Sequence, residues 1–364
     1  MSAPQRLPPP AALVAAVQHN CDIADAAHAA DLSLCNFLLQ MREYYRWQQG
    51  LGFDAPLARD ALGRWLAETE ARWAGLEGRA FAALALDGDR FDPFDVDAVN
   101  ARLLPQGWVY GAGLAGPGRA GFFLATSIGV GTLPHGGCAA GAPLAPLTVQ
   151  RAGHEHARGL FAPPAALQGT TVVLREAAIA RWLWERYEAF ALRRGAGPFD
   201  AVASAFGLHD TAGFVAALPR LVELQARVLL HHECGEHLAA QTLEPGWGGL
   251  RMTVTDRRAA LWLRAVRDLL ADLRVTLPAL LAEGPPVALH LWFSHHEGPH
   301  AALQPGLADA YRAWCAGDGG AALSRACEAG VAHFEALAQT LLGLDGPQAV
   351  AQRLAQPAAI CTSA

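Results

Sequence analysis

The run Leu221–Ala240, LVELQARVLLHHECGEHLAA, gathers a dense set of side chains able to bind a metal or carry a proton. With successive residues about 100° apart, as in a helix, His232, Glu233, Glu236 and His237 fall within one arc of about 140°. Val222, Ala226, Leu229 and Ala240 share that arc, so a stripe apolar enough to face a core carries four groups that are costly to bury unpaired. A shared metal ion would satisfy all four. His232 and Glu236 are four residues apart, as are Glu233 and His237, which places each pair one turn apart on one face. Imidazole and carboxylate donors on facing helices suit iron first and manganese or zinc next, and such sets build dinuclear sites in helical bundles. The competing reading is a hydrogen-bonded polar seam or a solvated face. HHECGEH is neither HExxH nor HxxEH, which disfavours a metalloprotease.

Further ligands must come from other elements. A stripe through Cys21, Asp25, His28, Leu32, Cys35, Leu39 and Arg46 marks a core-facing helix. On it Asp25 and His28 have the acidic-x-x-His spacing that lets one helix supply a carboxylate and an imidazole to one ion. Asp25 as a cap and His28 as a satisfied core histidine is the alternative, with His19 and Asp22 as second choices. Glu176 falls on a stripe with Val172, Ile179, Leu183 and Tyr187 and is the candidate bridging ligand from another helix, in competition with a salt bridge to an arginine. His296–His300 is a literal HExxH, but Gly298-Pro299 breaks the turn that would align its histidines. His290, His295 and His296 remain candidates to line a pocket, and His154-Glu155-His156 reads as solvated.

The elements that position these residues predict a mainly α fold, a multi-helix bundle with a small β-hairpin-containing insertion. Residues 1–104 form an N-terminal helical part, 105–170 a Gly/Pro-rich β insertion, and 171–364 a C-terminal helical part in one compact body with 1–104. Helix is expected from about Ala11 to Gln49 with a break near Asp31, from Pro56 to Glu77, from Thr171 onward, and from Asp256 to Leu281. DGDRFDPFDVD fails as a calcium loop and reads as a loop with capping aspartates. GWVYGAGLA and AGFFLATSIGV form the hairpin across GPGR, the loops of the insertion are placed as a lid, and VALHLWF reads as a short strand.

Composition narrows the function classes. The chain has 364 residues, 52% hydrophobic and 17% charged, with net charge −6. Its 28 basic residues are all arginine, and no basic run with interleaved aromatics points to nucleic acid. Without lysine there is no phosphate-binding GxxxxGK[ST] loop. Seven dispersed cysteines without CxxC suggest a reduced compartment. No run reads as a signal peptide or a membrane span, and the expectation is a cytoplasmic, bacterial-type protein. The block HNCDIADAAHAADLSLCNFLLQMREYYRW resembles the N-terminal segment of an uncharacterised bacterial protein family. The resemblance implies that His19, Asp22, Asp25 and His28 belong to something the family shares and carries over no catalytic role.

The favoured function is a metal-dependent oxidoreductase with non-haem iron, dinuclear in its fullest form, acting on an unknown small molecule. Its ligands would come from His232, Glu233, Glu236, His237, Glu176, Asp25 and His28, with Glu233 and His232 also able to act in catalysis. A helical interaction or regulatory protein with structural His/Glu clusters is the alternative, and a metal-independent hydrolase or lyase with Glu233 or His232 as base is third.

Overall fold

The structure is a computed structural model and describes residues 8–29, 32–116, 119–133, 146–193, 195 and 197–356. Helices dominate, as the periodicities predict, but the β structure is larger than a small insertion. Five strands are hydrogen-bonded in the order β3-β4-β5-β7-β6: β3 (Trp108–Gly116), β4 (Arg119–Leu133), β5 (Leu147–Arg158), β6 (Ala165–Gln168) and β7 (Thr171–Arg175). A separate hairpin precedes them, β1 (Leu84–Leu86) with β2 (Asp89–Phe91). The bundle with a hairpin insertion is therefore corrected to a helix-rich fold with a five-stranded sheet.

The reasons for the extra strands are local. Asp87 and Gly88 both have positive φ, 52° and 90°, the backbone that a two-residue hairpin turn demands and that Asp-Gly supplies. Thr171, Val172 and Val173 open the segment expected to be helical. β-Branched residues favour the pleated conformation, and this run pairs antiparallel with β6 across Gly169, at φ 59°. The lid expected of the insertion would include residues 134–145, and the GPGR turn residues 117 and 118; both lie outside the described residues.

The chain forms two compact units. The first comprises Met1–Val130, Gln150–Pro164 and Arg175–Trp184. Its helices are α1 (Ala11–Ala29), α2 (Leu34–Gln48), α3 (Arg59–Ala74), α4 (Val96–Leu103) and the start of α5 (Glu176–Leu192). Leu13, Val17, Cys21 and Ala24 of α1 pack with Leu84, Leu86, Tyr110, Phe122 and Leu124 in one core. Phe37, Met41, Tyr44, Trp73 and Leu160 form a second. Ser33 caps α2 by accepting from the Asn36 amide, so the break between the first two helices lies where DLS suggests it, although Asp31 itself is outside the described residues.

The second unit comprises Gly131–Val149, Ala165–Leu174 and Glu185–Ala364. Here lie α6 (Pro198–Phe206), α7 (Thr211–Leu243), α8 (Gly246–Thr253), α9 (Arg257–Ala271), α10 (Leu277–Glu283), α11 (Pro286–Phe293), α12 (Gly298–Leu303), α13 (Gly306–Cys315), α14 (Ala321–Leu342) and α15 (Gly346–Leu354). Asp210 caps α7 through the Gly213 amide, and Asp256 caps α9 through that of Ala259, satisfying otherwise orphaned N–H groups. α9 does not run unbroken to Leu281: five residues, Asp272–Thr276, form a π-helical turn before α10. VALHLWF is helical, not extended, because Pro286 at the first position pre-sets the helical φ. α7 packs along α9 and the π turn, and α8, α12, α14 and α15 also pack on α9. No single helix among the described residues is long and apolar enough to cross a membrane.

Candidate metal centre

α7 brings His232 and Glu236 to one face, one turn apart, as their spacing predicts. The facing carboxylates come from α9 and its π turn, where Asp268 and Asp272 are four residues apart. Among the described residues one group of three or more potential ligands converges: atoms of His232, Glu236 and Asp268 all lie within 4.8 Å of one another, each residue half-buried. His232 Nδ1 is 2.8 Å from Asp272 Oδ1, which also accepts the Thr276 hydroxyl at 2.7 Å. A donated Nδ1–H leaves Nε2 as the ligand atom, and it lies 3.9 Å from Glu236 Oε1. A carboxylate behind the distal ring nitrogen fixes the tautomer and orientation of metal-binding histidines.

The remaining contacts tie the carboxylates down. Arg267 Nη2 donates to Glu236 Oε2 at 2.7 Å, and His300 Nε2 lies 3.3 Å from Asp268 Oδ2. Burial works against a charged His232, yet the hydrogen-bonded Asp272 and the nearby Glu236 and Asp268 hold its pKa well above the usual imidazole value. Burial would raise Asp268, but His300 and His232 bring it below the ordinary carboxylate range. Glu233 is buried and its Oε2 has no hydrogen-bond partner. Burial, reinforced by Glu236, pushes its pKa up to about 8.

A glycine sets the spacing of the two helices. A Cβ on Gly235 would lie 2.4 Å from the Ala271 carbonyl oxygen, so only a residue without a side chain lets α7 approach α9 this closely. Cys234 beside it is disulfide-bonded, whereas Cys21, Cys35, Cys315 and Cys327 are free.

Of the seven ligands expected from sequence, His232 and Glu236 belong to the convergent group. Glu233 adjoins it electrostatically. His237 is half-buried on the same helix, with no hydrogen bond to Nε2. Asp25, His28 and Glu176 lie in the first unit. Both oxygens of Asp25 accept the Leu160 amide at 2.9 Å, and the His28 ring meets Phe161 edge-on. Glu176 opens α5 immediately after β7 and takes Arg151 Nε at 2.9 Å, the salt bridge weighed as its rival role. Glu155 is not solvated: it is buried on β5 and paired with Arg175 at 2.6 Å.

The spacing that points to His232 and Glu236 also holds for Asp268 and Asp272, four residues apart among leucines, Asp268 on α9 and Asp272 opening the π turn. The His296–His300 motif does not lie on one helix: His296 follows the end of α11, and Gly298, at φ 58°, opens α12. His296 stacks on Trp292, and His300 goes to Asp268.

No curated protein and no solved structure matches this chain. Two family models match, the N-terminal domain of a family of unknown function, DUF6866, over residues 12–175 and its C-terminal domain over residues 180–360. The candidate centre falls within the second region, and the chain as a whole belongs to this family of unknown function, DUF6866.

Proposed function

We propose that the protein is a metal-dependent oxidoreductase acting on a small molecule, with a divalent ion, iron by preference, held by His232, Glu236 and Asp268. The observation that carries this reading is the convergence of three ligand atoms within 4.8 Å, with Asp272 placed behind the imidazole at 2.8 Å. One imidazole and two carboxylates favour iron or manganese over softer-ligand metals, and three protein ligands leave positions open for water, dioxygen or substrate. When bound, iron would supply dioxygen activation. The chain itself fixes ligand orientation through Asp272, Arg267 and His300, and Glu233 offers a buried carboxyl able to hold a proton next to the centre.

Two ion pairs favour a second reading. Arg267–Glu236 and His300–Asp268 already give each carboxylate a partner, which a structural polar cluster would also need. Anaerobic loading with Fe²⁺, desalting and absorbance before and after oxygen separate the two. The metalloenzyme reading expects retained iron and a spectral change on oxygenation that His232→Ala abolishes. Failure of the wild-type chain to retain Fe²⁺, Mn²⁺ or Zn²⁺ supports the structural cluster instead.

A further inference from the structure

His154 and His156 take no part in the centre on α7 and α9. They stand two residues apart on β5, so their side chains share one face of the strand, with the Cα atoms about 7 Å apart. Glu155 between them turns to the other face, where it is buried and paired with Arg175. The two rings meet edge to face, centroids 4.9 Å apart. His156 is half-buried, with Nε2 3.0 Å from Thr126 Oγ1 on β4. His154 is exposed, and among the described residues its ring has no hydrogen-bond partner.

A donated Nε2–H holds the His156 ring against Thr126 and leaves Nδ1 as the ligand atom, the arrangement that orients a metal-binding histidine. The His154 ring turns about χ2, a broad torsion. An ion bound at about 2.0–2.1 Å by each ring needs the two nitrogens roughly 3 Å apart, a short closure from centroids at 4.9 Å. Core packing does not account for the pair, because the ring that His154 sets on His156 is itself exposed. The donors here are nitrogens, without the two carboxylates that join His232. Imidazole suits the late first-row ions, and affinity climbs to Cu²⁺ before it falls at Zn²⁺.

We propose that His154 and His156 form a second metal site, on the exposed face of β5, that takes Cu²⁺ in preference to Zn²⁺, with water completing the coordination. The pair and Thr126 lie in the first unit, and the site stands independently of the metal reading above.

The test titrates Cu²⁺ and Zn²⁺ calorimetrically into the full chain as wild type, His154→Ala and His232→Ala, and records the electron spin resonance of each Cu²⁺-loaded sample. His154→Ala, a change at an exposed position, should weaken one Cu²⁺ equivalent at least about tenfold and remove the coupling of one imidazole nitrogen from the spectrum. Its Fe²⁺ retention should equal that of wild type. His232→Ala should keep this Cu²⁺ equivalent, and Zn²⁺ should bind the pair more weakly than Cu²⁺. Equal Cu²⁺ titrations for wild type and His154→Ala overturn the site, as does loss of the same equivalent in His232→Ala. Zn²⁺ bound as tightly as Cu²⁺ overturns the assignment to copper. Failure of the centre on α7 and α9 to hold Fe²⁺ overturns that reading alone, because the comparison of wild type with His154→Ala does not depend on it.

Discussion

At the scale of single residues, two buried aspartates do different work. Asp25 accepts from the backbone amides of Leu160 and Phe161, and burial pushes its pKa from 3.8 up to about 8. The folded chain therefore keeps a proton that the unfolded chain releases near pH 4. Its contribution to stability is full below the unfolded pKa and is lost as pH rises through about 8. Asp25→Asn should remove this loss, so the stability difference from wild type shifts in favour of the variant between pH 4 and 8; chemical denaturation at several pH values measures it, and a pH-independent difference contradicts it. Asp272 instead acts through His232. Asp272→Ala leaves the imidazole without its orienting acceptor and should weaken metal binding by about 10–100-fold, read by competition with a chelator. Unchanged affinity would show that Asp272 does not position the ligand.

At the scale of elements, the centre depends on how closely α7 meets α9. Gly235→Ala places a methyl 2.4 Å from the Ala271 carbonyl oxygen and should cost about 1–3 kcal/mol of stability, with metal occupancy falling at the same time. Gly249→Ala, with nothing within 4 Å of the new Cβ, is the control. Equal thermal midpoints and metal content for both variants would contradict the close-approach account. The same elements show what sequence could reveal. The His232–Glu236 face was legible because a 33-residue helix, Thr211–Leu243, keeps its period over many turns. Asp268 and Asp272 are not among the expected ligands because the Asp256–Leu281 stretch shows only an amphipathic helix, and the π turn that carries Asp272 leaves no mark in that periodicity. A short apolar run such as VALHLWF has no period to distinguish helix from strand, and TTVVL was absorbed into the helix that follows it. The Asp87-Gly88 turn was a readable hairpin signal, masked by the density of aspartates around it.

At the scale of the whole molecule, both units hold paired polar groups, Glu155 with Arg175 and Asp22 with Arg72 in the first, Glu236 with Arg267 and Asp268 with His300 in the second. The convergent group lies in the second, within the C-terminal family region. The sequence pattern pooled ligands from both parts because a stripe shows which side chains face a core and not which core they face.

The most direct test is the metal-to-protein ratio after loading with Fe²⁺ or Mn²⁺ and desalting. The account predicts about one ion per chain, the stoichiometry of a single three-ligand site, retained by Glu176→Gln and lost by His232→Ala and Asp268→Ala. A wild-type chain without bound metal, or an Asp268→Ala variant with its full complement, would contradict it.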